Sequence, residues 1–196
     1  MTAVRARLVA GDTAPDAAVL DPDGVETRLA SLWPAGPTAL LFVRHFGCPY
    51  CQIALRELAT ERPALASLGA QVVAVAIGEP VHAATFGRKV APGVTLFVSP
   101  DTSAHRAFGL RRGRPWEVVN VRTVVRGTQL AARGILPRQP TGDPFLLPGT
   151  FVVDRTGRIT YARYAADVSD NPDWAALHRA VAAATTGAAT GAATDG

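Results

Sequence analysis

The stretch Arg44-His45-Phe46-Gly47-Cys48-Pro49-Tyr50-Cys51 contains the only two cysteines of this 196-residue chain. The pair follows a near-continuous apolar run from Thr38 to Val43, which is typical of a central strand buried on both faces. After Cys48 the spacing of apolar residues becomes helical. Two thiols at this spacing can cycle between dithiol and disulfide, so the strand-to-helix junction indicates redox chemistry.

The position of Cys48 at the start of the predicted helix favours its thiolate. Unpaired backbone N–H groups and the helix dipole both stabilise a negative charge there, and Pro49 suits the first helical turn. Arg44 and His45 end the strand and add positive potential, which lowers the pKa of a cysteine. Cys51 lies one turn further on the same face and is expected to be more sheltered. We therefore predict that Cys48 is the nucleophile that attacks the substrate, and that Cys51 is the resolving thiol that attacks the oxidised Cys48.

Other interpretations of these residues stay open. His45 either tunes Cys48, acts as a general acid, or is a hydrogen-bonded histidine at a strand end, and Arg44 is either functional or part of a salt bridge. A zinc site needs about four ligands, whereas the chain offers two cysteines and four well-separated histidines. An iron–sulfur cluster shared by two subunits and an inert buried pair are further alternatives. We expect no metal or other cofactor and a requirement for an external thiol reductant.

The rest of the chain alternates strand and helix patterns around the motif. Apolar runs predict strands at Ala70–Ile77 and Val94–Val98, and helices are expected from Cys48, with a kink or break near Pro63, over 80–90 and over 102–108. Before them, Asp21-Pro22-Asp23-Gly24 separates two short apolar segments, which predicts an N-terminal β-hairpin.

The second half contains an insert, another hairpin and a last helix. Residues 110–147 are arginine-rich, with a helix expected around Trp116–Ala132 and a loop up to Pro148. Strands are predicted at 150–153 and 159–164, followed by a helix over 173–184. We expect one α/β domain over residues 1–184, with a mixed central sheet flanked by helices, and a disordered low-complexity tail over 185–196.

Composition excludes several classes of function. The net charge of +4 and the pI near 9.7 come from scattered arginines without a basic run, so we expect no nucleic-acid partner. No apolar run approaches the ~20 residues that cross a bilayer, and the N-terminus lacks a secretory signal. We therefore expect a cytoplasmic protein without a membrane partner, in which a cysteine pair is catalytic rather than a static cross-link.

Three stretches resemble the peroxiredoxin-like branch of the alkyl hydroperoxide reductase/thiol-specific antioxidant family, within the thioredoxin-fold superfamily. They are Leu41-Phe42-Val43-Arg44-His45-Phe46-Gly47-Cys48-Pro49-Tyr50-Cys51, Gly142-Asp143 with Pro148-Gly149-Thr150-Phe151-Val152-Val153-Asp154-Arg155-Thr156-Gly157, and Ala166-Asp167-Val168-Ser169-Asp170-Asn171-Pro172-Asp173. The resemblance spans about residues 10–185. It implies a thioredoxin-like fold carrying the N-terminal hairpin and the insert at about 110–147.

The resemblance also implies details of the site. Proteins of this fold usually place a cis-proline beside the thiols, and Pro148 matches it, with an ordinary trans proline as the alternative. A cis bond would open the backbone of Leu147 and Pro148 to substrate. Arg122 and Arg126 are candidates for a distal arginine. Typical peroxiredoxins carry Thr or Ser three residues before the attacking cysteine, where this chain has His45.

These observations predict a thiol-dependent oxidoreductase that most resembles a peroxide reductase. Tyr50, Trp116 and Phe145 either line an apolar substrate groove or pack structurally. One alternative activity is the reduction of a disulfide, an endoperoxide or another oxidised metabolite, and another is a non-catalytic redox-sensing or partner-binding domain. We expect a thioredoxin-like or low-molecular-weight thiol as reductant, and the sequence leaves a homodimer open.

Overall fold

The computed structural model describes residues 6–187, which form one mixed β-sheet and the helices that cover it. The strands lie at Ala18–Leu20 (β1), Glu26–Arg28 (β2), Thr38–His45 (β3), Gln71–Ile77 (β4), Thr95–Ser99 (β5), Gly149–Val153 (β6) and Ile159–Tyr164 (β7). A 3-10 helix covers Leu29–Ala35, and the α-helices lie at Pro49–Ser67 (α1), Pro80–Lys89 (α2), Ser103–Ala107 (α3), Pro115–Val118 (α4), Val121–Ala132 (α5) and Trp174–Thr186 (α6).

The sheet runs in the order β2-β1-β5-β4-β3-β6-β7. Strands β5, β4 and β3 are parallel, and the pairs β1–β2, β1–β5, β3–β6 and β6–β7 are antiparallel. This arrangement confirms the predicted mixed sheet, and both hairpins form where the turn residues predict them. The loop that follows β3 leads directly into α1, which places the cysteines at the carboxyl end of the central parallel strands.

Strand β3 is buried along its whole length because helices cover both faces of the sheet. Successive side chains of a strand point to opposite faces. Leu41 and Val43 pack into the core that includes the buried side of α1 and α6, whereas Leu40 and Phe42 pack into the second core, which includes Phe108 of the loop after α3. The apolar run therefore acts as the shared wall of two cores and fixes the position of the motif that follows.

Two helical predictions need correction. Helix α1 continues through Pro63 to Ser67, so the alternative of a break near this proline is wrong. The single helix expected around Trp116–Ala132 is two helices, α4 and α5. The division occurs because Asn120 is extended and its side chain accepts a hydrogen bond from the backbone N–H of Thr123 at 2.9 Å, which starts a new helix.

The last helix and Pro148 also differ from expectation. Helix α6 extends to Thr186 and ends at Gly187, whose φ of 76° suits a residue without a side chain, so the first residues assigned to the tail are helical. The remainder of the predicted tail, 188–196, lies outside the described residues. The peptide bond before Pro148 is trans, like every other bond over residues 6–187, so the predicted cis bond is wrong.

Among the helices of residues 6–187, none has both the length and the apolar character needed to cross a bilayer.

Candidate redox site

Cys48 is the residue that caps the N-terminus of α1. Its backbone is extended, and its sulfur accepts the backbone N–H of Cys51 at 3.3 Å. Pro49 follows as the first helical residue, where the absence of an N–H costs nothing. The predicted position at the start of the helix is thus the one the structure shows. The positive end of the α1 dipole and the backbone N–H of Cys51 are both directed at the Cys48 sulfur.

Arg44 supplies a second donor to the same sulfur. Its Nη2 donates to Cys48 Sγ at 2.8 Å, and its Nη1 donates to the carbonyl of Pro144. The Arg44 side chain is buried, and the charge of the neighbouring sulfurs keeps its pKa raised, although burial acts to lower it. A buried cation in this position needs an anion beside it. Arg44 is therefore the residue that holds negative charge on the cysteine pair.

The two thiols titrate as a pair. Burial, followed by the hydrogen bond with Cys51, raises the pKa of Cys48 well above its ordinary value. Burial acts to raise the pKa of Cys51 too, but its hydrogen bond with Cys48 and the charge of Arg44 lower it to about 6. The low pKa belongs to the pair, since loss of one proton makes the second harder to remove. At neutral pH the pair carries one negative charge. Arg44 and the backbone N–H of Cys51 donate to Cys48 Sγ, whereas the hydrogen bond with Cys48, the charge of Arg44 and the backbone of His45 and Arg44 favour the charge on Cys51.

Burial does not distinguish the two sulfurs as the sequence predicted. Cys48 is 1% exposed and Cys51 is 4% exposed, so Cys51 is not the more sheltered residue. Both are free thiols. The two differ in their surroundings, since Cys51 contributes to the wall of a cavity and Cys48 does not.

The surroundings of His45 disfavour a role in proton transfer when both cysteines are reduced. Burial lowers its pKa to about 4, the charge of Arg44 acts in the same direction, and Asp143 opposes them. The imidazole is therefore neutral at neutral pH. Its Nδ1 is buried, and within the part of the chain that the structure describes it has no hydrogen-bond partner. A neutral imidazole does not suit a general acid at this pH, and the unpaired Nδ1 does not match the hydrogen-bonded alternative.

A cavity with an empty volume of about 340 Å³, its open mouth included, lies beside Cys51. Most of its wall is apolar and comes from α1, β3, the start of β6, the end of β7 and the residues that precede β6 and follow β7. The lining residues are Leu41, Val43, Tyr50, Cys51, Ala54, Pro148, Gly149, Thr150, Arg163, Ala165, Val168, Asp170, Asn171 and Pro172. A cavity of this kind, with a reactive sulfur in its wall, is the place where a substrate would be expected to bind.

The structure brings two of the four predicted substrate-binding residues to this cavity. Pro148 and Tyr50 line it, and the Tyr50 hydroxyl donates to the carbonyl of Thr123, which ties α1 to α5. Leu147 is buried and is not part of the cavity wall. Trp116 is 61% exposed on α4, away from the cavity, with the guanidinium of Arg114 over its ring.

Residues 138–145, which we call the strap, cover the junction between β3 and α1. The backbone N–H of Arg138 donates to the carbonyl of Gly47 at 2.9 Å, and the Thr141 hydroxyl accepts the N–H of Phe46 at 3.2 Å. The carbonyl of Pro144 accepts from Arg44 at the far end. A side chain at Gly47 would collide with the backbone of the strap, which explains why glycine stands there.

The cavity also contains polar groups that the sequence analysis did not single out. Arg163 Nη2 donates to both carboxylate oxygens of Asp170, at 2.9 and 3.1 Å. Asn171 donates to Glu57 of α1 at 3.0 Å. These residues lie in or near the third stretch of the family resemblance, but nothing in their spacing placed them beside a thiol. Arg163, not a residue of the insert, is the arginine of the cavity.

The two candidates for a distal arginine lie elsewhere. Arg122 pairs with Asp167 and Asp170 at 3.7 and 3.5 Å, and Arg126 donates to the carbonyl of Ser169. Both arginines attach α5 to the segment that leads to the cavity mouth, and neither reaches a sulfur. Across residues 6–187, no group of three or more His, Cys, Asp or Glu side chains is arranged to hold a metal ion.

Comparison with known proteins gives one family match. The family described as AhpC/TSA antioxidant enzyme matches residues 57–167, which is more than half of the chain and begins after Cys51. No curated protein matches the chain.

Solved structures share the fold at low sequence identity. A peroxiredoxin-like protein from Aquifex aeolicus is 17% identical with a TM-score of 0.68, and the alignment covers 92% of this chain and 90% of that chain. Peroxidoxin BcpB from Mycobacterium tuberculosis is 18% identical with a TM-score of 0.64, covering 92% and 98%. A candidate thiol:disulfide interchange protein DsbE from Chlorobium tepidum is 22% identical with a TM-score of 0.60, covering 91% and 99%. These similarities establish a thioredoxin-like fold.

Proposed function

Because the chain belongs to the AhpC/TSA antioxidant enzyme family, whose members are thiol-dependent peroxidases or thiol–disulfide oxidoreductases, we propose that it reduces an organic hydroperoxide with Cys48 and Cys51. Cys48 is the attacking residue in this proposal and Cys51 the resolving one. The observation that carries the proposal is the contact of Arg44 with Cys48 Sγ at 2.8 Å, at the N-terminus of α1. Although burial raises the pKa of Cys48 itself, the pair carries one negative charge at neutral pH, and the buried cation and the helix N-terminus stabilise that charge as the nucleophilic thiolate when it resides on Cys48.

The first step oxidises Cys48 by two electrons. The thiolate attacks one oxygen of the hydroperoxide, an S–O bond forms and the O–O bond breaks. The leaving alkoxide takes up a proton and departs as an alcohol, which leaves a sulfenic acid on Cys48. Arg44 remains beside the reacting sulfur and its positive charge stabilises the negative charge that moves onto the peroxide oxygen.

The second step joins the two cysteines. Cys51 attacks the Cys48 sulfur, an S–S bond forms and the S–O bond breaks, and the oxygen leaves as water after taking up a proton. The two sulfurs already exchange a hydrogen bond, so this condensation needs only local motion. An external thiol, either a thioredoxin-like protein or a low-molecular-weight thiol, then reduces the disulfide in two exchange reactions and regenerates the pair.

The cavity favours an organic substrate over hydrogen peroxide. Its wall is mainly apolar, which favours contact with the apolar part of an organic hydroperoxide over the fully polar hydrogen peroxide. Cys48 itself lies behind Cys51 and below the strap. The peroxide oxygen therefore reaches Cys48 only if its side chain turns towards the cavity or the strap moves.

A second candidate function, disulfide reduction, has its own support. Cys51 and Pro148 line the same cavity, and a thiol beside that backbone suits exchange with a docked disulfide. No side-chain hydroxyl contacts Cys48 Sγ within the described residues, whereas the family resemblance associates such a hydroxyl with peroxide. Thiol–disulfide exchange does not need that hydroxyl. The same cysteine pair would serve both activities.

Stopped-flow measurement of the reduced protein separates the two candidates. We expect a faster second-order reaction with cumene hydroperoxide than with hydrogen peroxide, and loss of both reactions in Cys48→Ser. A rate with both peroxides no faster than that of free cysteine would refute the peroxidase proposal. Rapid reduction of a low-molecular-weight disulfide by the same sample would then assign the chain to disulfide reduction.

A further inference from the structure

The positive charge of the chain is concentrated in the insert. Residues 110–147 contain seven arginines and two carboxylates, Glu117 and Asp143, whereas the rest of the sequence contains thirteen basic and fourteen acidic residues. The two carboxylates pair with Arg111 at 2.6 Å and Arg112 at 3.1 Å, so they neutralise charge at one end only. The insert therefore accounts for the whole positive excess of the protein.

Helix α5 presents its apolar side to solvent. Its buried side chains are Thr123 and Leu130, which face the rest of the domain. Val121, Val124 and Val125 lie on the opposite side of the helix and are 82%, 54% and 49% exposed. An amphipathic helix normally buries its apolar stripe against the core. This helix does the reverse, so its valine stripe is available to something outside the domain.

The stripe belongs to a larger apolar patch. Seven of the ten exposed large hydrophobic side chains within residues 6–187 fall between 116 and 145. We call the group formed by Trp116, Val119, Val121, Val124 and Val125 the insert surface. Exposed apolar groups scattered singly need no explanation, whereas five among the ten consecutive residues 116–125 indicate an interaction site.

Three exposed arginines of the insert form no salt bridge with a carboxylate within residues 6–187. Arg114 lies over the ring of Trp116, 5.4 Å from its centroid. Arg133 at the end of α5 and Arg138 in the strap are exposed, and neither has an acidic partner among the described residues. The insert thus combines exposed apolar side chains with positive charges that no salt bridge neutralises.

The charge and the shape of the surface together select the occupant. A second copy would bring the same positive excess against this one, which opposes self-association. Valine is under-represented among the residues that anchor protein–protein interfaces, and four of the five residues of the insert surface are valines. A helix that exposes its apolar side, within an insert of net positive charge, suits the interface of an anionic bilayer, where Trp is also favoured. We propose that the insert surface binds peripherally to anionic lipid membranes.

This binding would bring the site to a lipid surface. Arg122 and Arg126 attach α5 to residues 167–170, which lead to the cavity mouth. The membrane proposal revises the expectation from sequence that no membrane partner exists. It does not depend on the peroxidase proposal, because the insert surface contains neither cysteine, and Cys48→Ser is expected to bind membranes as the native chain does.

Vesicle co-sedimentation of the full chain tests the proposal. We expect binding to phosphatidylcholine vesicles that contain phosphatidylglycerol, weak binding to phosphatidylcholine alone, and loss of binding at high salt. Arg133→Gln and Arg138→Gln should each lower the partition coefficient roughly fivefold, since one basic residue near such a surface contributes about that factor. Val121→Asp with Val125→Asp should lower it by at least about tenfold.

Matched controls lie elsewhere on the surface. Val25→Asp and Arg88→Gln change an exposed valine and an arginine outside the insert, and both should bind as the native chain does. Equal binding to neutral and anionic vesicles, or equal losses in the control variants, would overturn the proposal. A dimer in analytical ultracentrifugation that Val121→Asp with Val125→Asp converts to a monomer would instead assign the surface to a second copy.

Discussion

Replacement of Arg44 by methionine should raise the lowest thiol pKa of the site. Methionine keeps an unbranched side chain of similar length but removes the charge and the donor to Cys48 Sγ. A hydrogen bond to a charged group contributes roughly 1.5–3 kcal/mol. One pKa unit corresponds to 1.36 kcal/mol, so the first ionisation of the pair should rise by about 1 to 2, from the pKa of about 6 that Cys51 carries.

The same substitution changes how stability depends on pH. The pair loses its first proton at a lower pKa in the folded chain than the ~8.5 of an unfolded cysteine. A lowered pKa contributes stability that is complete above pH ~8.5 and is lost as the pH falls through the folded value. Arg44→Met should therefore reduce the free energy of unfolding by roughly 1.5–3 kcal/mol more at pH 9 than at pH 5.5.

Ultraviolet titration of thiolate absorbance measures the first effect, and urea unfolding at the two pH values measures the second. Arg163→Met is the matched control, since this arginine lines the same cavity but pairs with Asp170. It should leave the thiol pKa in place. An unchanged thiol pKa in Arg44→Met would refute the assignment of Arg44 as the group that holds charge on the pair.

Two further perturbations test the strap and the buried side chain of His105. Gly47→Ala should destabilise the protein by roughly 1–3 kcal/mol in urea unfolding, because its Cβ would meet the backbone carbonyl of Gln139. The control Gly87→Ala has open space around its Cβ and should be neutral or stabilising by up to about 1 kcal/mol. Equal effects of the two substitutions would contradict the account of the strap. Burial lowers the pKa of His105 to about 4, so the free energy of unfolding should fall by roughly 3 kcal/mol between pH 6.5 and pH 4. His105→Gln should remove most of this pH dependence. An unaltered pH profile in the variant would contradict the role given to His105.

The fold was largely predictable because its strongest signals are local. The apolar run over β3, the helical period after Cys48 and the turn residues of both hairpins each specify one element. Alternation of strand and helix in the first half then implies the parallel part of the sheet. These patterns depend on neighbours in sequence, so they do not need knowledge of the tertiary structure.

The details of the site were less predictable because they depend on contacts between distant residues. Arg44 was a candidate from its position, but its hydrogen bond to the carbonyl of Pro144 joins two residues that are 100 positions apart in sequence. Arg163 enters the cavity through the pairing of β6 with β7. Trp116 illustrates the opposite case, since an aromatic residue in an insert resembles a groove residue in sequence, yet it lies on the surface.

Sulfenic acid trapping in single-cysteine variants tests the central claim most directly. The reduced Cys51→Ser and Cys48→Ser proteins would each be treated with one equivalent of cumene hydroperoxide, labelled with a sulfenic-acid-specific probe, and mapped by mass spectrometry. The roles proposed here predict a label on Cys48 in Cys51→Ser and none on Cys51 in Cys48→Ser. A label on Cys51 in Cys48→Ser, with none on Cys48 in Cys51→Ser, would contradict the account and make the cavity-lining sulfur the nucleophile.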